Sequence, residues 1–178
     1  MQNQLSNATP DNADALHTLG LRAYQIGKNE TAVDLLSKAV ALKPGEPAFH
    51  NNLGNALKEL GQLDSAIICY EKAVAIKPDY QTAWYNLGLA LQIARRPDAA
   101  IGCYEKAIKL DPECYEAYTN LGIALQSQGR LDDAILYFER SLKINPDYPL
   151  THNNLGITLQ NQWKLDAAVE SYEKALKD

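Results

Sequence analysis

The chain has 178 residues, 46% of them hydrophobic, and carries a formal charge of −5 at pH 7 with a pI near 5.2. This apolar content is enough for a continuous core, whereas the acidic balance argues against nucleic acid, whose phosphates bind clustered Lys and Arg. No stretch reaches the ~18 consecutive apolar residues of a membrane-spanning helix, so no membrane insertion is expected.

The first twelve residues, MQNQLSNATPDN, are polar. They lack the charged n-region and the apolar core of a secretory signal. We therefore expect residues 1–12 to form a disordered polar tail and the protein to be cytoplasmic.

Beyond this tail the sequence repeats every 34 residues, as the step from Gly20 to Gly54 shows (54 − 20 = 34). Glycine keeps this step through the chain at Gly20, Gly54, Gly88, Gly122 and Gly156, and proline keeps it at Pro44, Pro78, Pro112 and Pro146. A fixed period of this length is typical of a solenoid of supersecondary units and not of a core wrapped around a pocket. The predicted repeats are 13–46, 47–80, 81–114, 115–148 and 149–178.

Each repeat is predicted to be a helical hairpin. In residues 47–80, apolar residues spaced by three and four predict one helix that ends at Gly61 and a second that ends before Pro78. A carboxylate stands near the start of each second helix, where we expect it to cap free N–H groups and to favour the helix dipole. These carboxylates are Glu30, Asp64, Asp98, Asp132 and Asp166.

The third repeat shows a family pattern most fully. Its residues are Trp84, Leu87, Gly88, Ala100, Tyr104, Ala107 and Pro112. This pattern resembles the tetratricopeptide repeat, and the resemblance extends over residues 13–178. It implies an all-α, right-handed α-solenoid of five helix-turn-helix repeats. Arg95 and Trp163 replace the glycine at the turn between the two helices, so these two turns are expected to use another geometry.

The resemblance also implies a concave groove, lined by the first helix of each pair, that binds a partner protein or peptide. An asparagine precedes the repeated leucine in four repeats, at Asn52, Asn86, Asn120 and Asn154. This column resembles the asparagine ladder in the repeat domain of O-linked N-acetylglucosamine transferases, which grips the backbone of a bound peptide. An amide suits that task because it offers a donor and an acceptor together. Asparagine is also common at this position in generic repeats, so the column is equally consistent with structural consensus.

Other residues are expected to line the same groove. Those beside the ladder are Asn51, Asn55, Tyr85, Leu89, Thr119, Ile123, Asn153 and Ile157, and those towards the rim are Lys58, Gln92, Gln126 and Gln160. A carboxylate clamp requires Lys and Arg at the inner positions, but those positions carry amides, hydroxyls and aliphatic side chains, and Arg22 and Lys58 are isolated, so a clamp is not expected. A groove of amides and aliphatic side chains suits a peptide main chain better than a charged ligand.

These observations favour a non-catalytic protein–protein interaction scaffold that binds an extended peptide or a helix. The sequence has no phosphate-binding glycine loop, HExxH or Cys-x-x-Cys motif, so we expect neither enzymatic activity nor a cofactor or metal. One alternative is the substrate-recruiting arm of a larger enzyme such as a glycosyltransferase. Another is self-assembly into a homo-oligomer through uncapped repeat ends, because no capping helix follows the apolar stripe that contains Val169 and Leu176.

Overall fold

The computed structural model describes residues 12–177, so the predicted tail lies outside the described residues except for Asn12. Within this range the chain forms ten α-helices and no strand. The first helices of the hairpins are α1 (Ala13–Gln25), α3 (Pro47–Glu59), α5 (Gln81–Ile93), α7 (Tyr115–Ser127) and α9 (Pro149–Asn161). The second helices are α2 (Asn29–Leu42), α4 (Leu63–Ile76), α6 (Pro97–Leu110), α8 (Leu131–Ile144) and α10 (Leu165–Ala175).

The chain divides into two compact units, the first ending at Ala90 and the second beginning at Leu91. In the first unit, α1 packs against α2, α3 packs against α4, and α2 contacts α3. In the second unit, α7 packs against α8, α9 packs against α10, and the contacts α6–α7 and α8–α9 join successive hairpins. Each unit is thus a stack of helical hairpins in which one hairpin covers the apolar face of the next.

Glycine in the first helix makes room for a large side chain of the second. A Cβ atom built on Gly122 would lie 2.5 Å from Cε1 of Phe138, and one built on Gly54 would lie 2.7 Å from Cε1 of Tyr70. Both rings are 0% exposed, so neither can turn out into solvent. In these two repeats the glycine is therefore required by the facing ring, whereas Gly20 of the first repeat faces the side chain of Leu36.

The five turns within the hairpins share one geometry. Gly27, Gly61 and Gly129 have φ between 72° and 75°, and Arg95 and Trp163 have φ of 58° and 62°. In each turn the next backbone N–H bonds back to a carbonyl in the last turn of the first helix, as Lys164 N does to Leu159 O at 3.0 Å. This is the Schellman arrangement of a left-handed C-terminal residue. The expectation that Arg95 and Trp163 use another geometry is therefore wrong. The backbone hydrogen bonds of the turn hold both residues in the left-handed backbone conformation that glycine usually adopts.

The carboxylates near the starts of the second helices are not capping residues. Helix α4 is preceded by Gln62, which makes no side-chain capping hydrogen bond, and Asp64 lies inside the first turn. Helices α2, α6, α8 and α10 show the same arrangement. The prediction of capping is wrong, whereas a carboxylate in the first turn still favours the helix dipole. A side-chain cap is formed instead at α1, where Asn12 Oδ1 accepts from Ala15 N at 3.1 Å.

Ring nitrogens connect three of the first helices to the turns that precede them. His50 Nε2 donates to the carbonyl of Pro44 at 2.8 Å, Trp84 Nε1 to that of Pro78 at 2.9 Å, and His152 Nε2 to that of Pro146 at 2.7 Å. In every case the acceptor lies six residues before the ring. These bonds fix where each of the three repeats begins.

Candidate functional site

Charge is distributed unequally between the first and second helices. Helices α5 and α9 contain no charged residue, and α7 contains only Glu116. Helix α3 contains Lys58 and Glu59, whose side chains form an ion pair at 3.7 Å. Most other charges lie on the second helices and in the turns. The first helices of the second unit, α7 and α9, therefore carry mainly amides, hydroxyls and aliphatic side chains.

In the first unit, the amides link successive first helices. Asn52 Nδ2 donates to His17 Nε2 at 2.9 Å, joining α3 to α1. Asn86 Nδ2 donates to Asn51 Oδ1 at 3.0 Å, joining α5 to α3. Asn51 and Asn86 are buried, at 3% and 9% exposure. Asn51 and Asn86 therefore hold repeats together, and Asn51 does not line an accessible surface.

His17 is a part of this arrangement that the sequence analysis missed. Its ring stacks on Phe49 with the centroids 4.3 Å apart, and its Nε2 accepts from Asn52 as a neutral imidazole. Burial lowers the pKa of His17 below its usual value, and the nearby Asp14 carboxylate opposes this effect. A signal was available, because His17 occupies the column that holds Asn51 in the next repeat.

In the second unit, Thr119 occupies the column of His17 and Asn51 and belongs to a buried cluster of hydroxyl groups. Thr119 Oγ1 lies 2.8 Å from Ser141 Oγ and 2.6 Å from Thr151 Oγ1, and Ser141 Oγ donates to the Tyr115 carbonyl at 3.0 Å. Thr119, Ser141 and Thr151 are all 0% exposed. Thr119 therefore joins α7, α8 and α9 internally, and its predicted place on the accessible groove must be corrected.

Three glutamines one repeat apart, here called the rim amides, lie near the ends of first helices in the second unit. They are Gln92 on α5, Gln126 on α7 and Gln160 on α9. Gln92 Oε1 accepts from the hydroxyl of Tyr104 at 2.7 Å, and Gln160 Oε1 accepts from that of Tyr172 at 2.8 Å. The second helix thus orients these two amides.

Gln126 differs because Phe138 replaces the tyrosine of its repeat. Its Nε2 instead donates to Thr158 Oγ1 on α9 at 2.8 Å. In the first unit Lys58 occupies the column of the rim amides, and the hydroxyl of Tyr70 donates to Asn55 Oδ1 at 2.8 Å. In these repeats a tyrosine hydroxyl of the second helix thus donates to an amide oxygen of the first helix, and the position of the accepting amide differs between repeats.

The remaining residues that the sequence predicted to line the groove are exposed or half-buried. Asn153 is exposed, and Ile157 is 38% exposed. Asn154 Nδ2 donates to the carbonyl of Leu150 on its own helix at 2.8 Å. The half-buried members of the set are Tyr85, Leu89, Asn120 and Ile123. The structure therefore leaves a smaller accessible set than the sequence analysis proposed.

The described residues contain no group of three or more His, Cys, Asp or Glu side chains that could hold a metal ion. In the same part of the chain, no helix is both long and apolar enough to cross a membrane.

Tetratricopeptide repeat family models match residues 85–149 and 151–178, and a model described as TPR repeat matches residues 20–61 and 54–92. No curated protein matches the sequence significantly. Among solved structures, the chain is similar to MamA, with 25% identity, a TM-score of 0.85, and coverage of 94% of this chain and 92% of MamA. It is also similar to PilF of Pseudomonas aeruginosa, with 26% identity, a TM-score of 0.83, and coverage of 92% and 74%.

A third similar structure is YrrB, described as a TPR protein with an unusual peptide-binding site, with 22% identity, a TM-score of 0.78, and coverage of 93% and 86%. These likenesses confirm the prediction of an all-α solenoid of helical hairpins. The family matches extend over nearly all of residues 20–178 and agree with the glycine period, the helical hairpins and the Schellman turns. The chain belongs to the tetratricopeptide repeat family.

Proposed function

We propose that this chain is a non-catalytic interaction scaffold that binds an uncharged segment of a partner polypeptide, extended or helical, along the first helices α7 and α9 of its second unit. The observation that carries the proposal is the near absence of charge on α7 and α9. A surface of amides and aliphatic side chains offers hydrogen bonds and apolar contacts to a peptide but no charge that could pair with a charged side chain of the partner.

We propose a smaller set of contact residues than the sequence pattern alone suggests. Asn51 and Thr119 are buried, whereas Ile123 and Gln126 on α7 and Ile157 on α9 are at least partly accessible. We expect apolar side chains to supply most of the binding free energy, at roughly 25 cal/mol per Å² of apolar surface removed from water. We expect the amides to fix the orientation of the bound segment through hydrogen bonds. We expect the ladder residue Asn154 to contribute less than the sequence resemblance implies, because its amide already bonds to its own helix.

Affinity capture from the source lysate tests this proposal with a matched pair of variants. Ile157→Lys places a charge on the neutral face of α9, and Leu136→Lys places the same charge at a similarly exposed site on the second helix α8, with native exposures of 38% and 47%. We expect Ile157→Lys to lose a partner that the native chain and Leu136→Lys both retain. Equal capture by both variants would show that the partner binds elsewhere.

Ionic strength provides an independent check. A neutral interface has no long-range attraction for salt to screen, so capture at about 0.5 M NaCl should match that at about 0.05 M. Release of the partner at high salt would place the binding surface on the charged second helices.

A second candidate function, self-association, is favoured by the exposed face of α10. Val169 and Leu176 are 55% and 82% exposed, whereas Ile67 and Val74, which occupy the same repeat positions in α4, are 3% and 7% exposed. In the second unit, a depression of about 440 Å³ beside this face is lined in part by Leu150 and Leu176. A second copy that covers this face would bury it as a neighbouring hairpin does.

Sedimentation equilibrium of the native chain and of Val169→Lys tests self-association. A mass above that of the monomer that falls to the monomer value in Val169→Lys would support it. A monomer at all concentrations would exclude it.

A further inference from the structure

We propose that the first unit contains a proton-operated switch, in which protonation of His17 reverses the direction of a chain of hydrogen bonds that joins α1, α3 and α5. This chain, here called the amide relay, consists of His17, Asn52, Asn51 and Asn86. The relay requires no bound partner, so its test is separate from that of the proposed function.

Three hydrogen bonds give the amide relay one direction. Asn86 Nδ2 on α5 donates to Asn51 Oδ1 at 3.0 Å, and Asn51 Nδ2 donates to Asn52 Oδ1 at 3.4 Å. Asn52 Nδ2 then donates to His17 Nε2 at 2.9 Å. Each amide of α3 thus accepts through its oxygen from one neighbour and donates through its nitrogen to the next. The relay therefore runs from a donor on α5 to an acceptor on α1.

This direction requires a neutral His17. The NH₂ group of Asn52 has only hydrogens to offer, so His17 Nε2 must present its lone pair, and the ring proton must lie on Nδ1. In a protonated imidazole both ring nitrogens carry a hydrogen. The Nε2–H group of His17 and the NH₂ group of Asn52 would then face each other as two donors across 2.9 Å.

Rotation of a single amide does not remove this conflict. If Asn52 turns its oxygen towards His17, its NH₂ group faces that of Asn51. If Asn51 turns as well, its NH₂ group faces that of Asn86. Asn51 and Asn86 are buried, so water does not readily replace a missing partner there, and an unpaired buried amide is unfavourable. Every link joins a donor to an acceptor again only when all three amides have turned.

The surroundings of His17 oppose protonation without preventing it. The ring is half-buried and stacks on Phe49. Burial lowers the pKa of His17 below its usual 6.5, and the Asp14 carboxylate, one turn earlier on α1, opposes this effect. Asp14 also accepts from Lys43, which follows α2, at 2.6 Å. Histidine is the side chain whose charge changes near neutral pH, so His17 gains a proton under mildly acidic conditions.

Charged side chains on the helices packed against α1 have partners of their own. These ion pairs are Asp34 with Lys38 on α2, at 2.7 Å, and Lys58 with Glu59 on α3, at 3.7 Å. The titratable ring of His50 on α3 donates to the carbonyl of Pro44. The other charged residues of α1, α2 and the turn before α3 are Arg22, Glu30 and Glu46.

The relay couples a proton bound in the first repeat to an amide in the third. Hydrogen bonds in a chain polarise one another, and the two directions of the relay are two discrete states that a proton selects between. The link between Asn51 and Asn52 is the longest of the three. We therefore expect the coupling to be weakest at this link.

The experiment is side-chain NMR of the full chain, labelled with ¹³C and ¹⁵N, between about pH 8 and about pH 5. The ring nitrogens of His17 show where its proton lies, and a scalar coupling across the hydrogen bond from Asn52 Nδ2 to His17 Nε2 identifies the direction seen in the structure. Asn154 is the internal control, because its Nδ2 donates to a backbone carbonyl of its own helix. The variants are His17→Gln, which removes the titrating ring, and Asn51→Ala, which interrupts the relay.

We expect the coupling between Asn52 and His17 at high pH and its loss on acidification. The NH₂ signals of Asn51, Asn52 and Asn86 should shift with one midpoint, that of the His17 ring, whereas Asn154 should not follow it. In His17→Gln these shifts should disappear. In Asn51→Ala, the Asn52 signal should still follow His17 and the Asn86 signal should not.

Three results would overturn the inference. They are a hydrogen on His17 Nε2 at high pH, an Asn86 NH₂ signal that does not change while His17 titrates, and shifts of Asn51 and Asn86 that persist in His17→Gln. The native chain alone decides the first two, so the test does not depend on the folding of a variant.

Discussion

The packing of Gly122 against the ring of Phe138 leads to a quantitative prediction for two Gly→Ala substitutions in the second unit. Gly122 lies within α7, and a Cβ atom there would be 2.5 Å from a carbon of the fully buried Phe138 ring. Gly102 lies within α6, and a Cβ atom there would meet nothing within 4 Å. Both glycines are in helix interiors, so the pair isolates the effect of the ring.

The magnitudes follow from two opposing effects. Replacing glycine with alanine in a helix interior stabilises by about 1 kcal/mol, and this gain is common to both sites. At Gly122 the added methyl group also overpacks the core, which costs about 1–3 kcal/mol. We therefore expect Gly102→Ala to raise the free energy of unfolding by about 1 kcal/mol and Gly122→Ala to lie about 1–3 kcal/mol below it.

Urea unfolding followed by circular dichroism and by tryptophan fluorescence measures this difference, and coincidence of the two signals checks that unfolding is two-state. Equal stabilisation by both substitutions would refute the reasoning. It would mean that the ring moves aside without cost and that glycine is not required by the close approach of α7 and α8.

Three further predictions concern single residues. Burial lowers the pKa of His17 below its usual 6.5, so the unfolded chain binds the proton of this residue more readily than the folded chain does. The free energy of unfolding should therefore fall as the pH drops below about 6.5 and level off below the folded pKa. Denaturant titrations at several pH values should show a smaller fall for His17→Gln than for the native chain. Trp163→Gly should raise the free energy of unfolding by about 1 kcal/mol, since it relieves a left-handed conformation at an exposed site, and an unchanged urea midpoint would contradict this. Thr119→Val should lower the free energy of unfolding by about 1–3 kcal/mol, because Ser141 and Thr151 lose a buried partner, and Thr18→Val at an exposed site on α1 is its control.

The hairpins were predictable from the sequence because each helix boundary has a local cause. Gly61 ends α3 through its left-handed conformation, and Pro78 follows the end of α4. The geometry at Arg95 and Trp163 was not predictable from residue preference alone. There the backbone hydrogen bonds of the turn outweigh the roughly 1–2 kcal/mol cost of a left-handed conformation.

The candidate site was less predictable because accessibility depends on the next repeat. Asn51 and Asn52 are adjacent residues of the same type, yet Asn51 is 3% exposed and bonds to Asn86, whereas Asn52 is half-buried and bonds to His17. Both partners are about one repeat away. Periodicity identifies a column of amides but not the direction in which each amide points. The pairing of Tyr104 with Gln92 depends in the same way on side-chain conformation.

The shared geometry of the five hairpin turns has a consequence for how members of this fold diversify. Trp163 is 86% exposed, so a bulky aromatic side chain occupies a turn position without entering the core. The backbone bonds that hold the turn involve no side chain, and they are the same for glycine, arginine and tryptophan. Selection can therefore exchange the side chain at these turn positions, from glycine to arginine or tryptophan, without changing the fold. A library that varies only these positions would sample new surfaces at a cost of about 1–2 kcal/mol per corner.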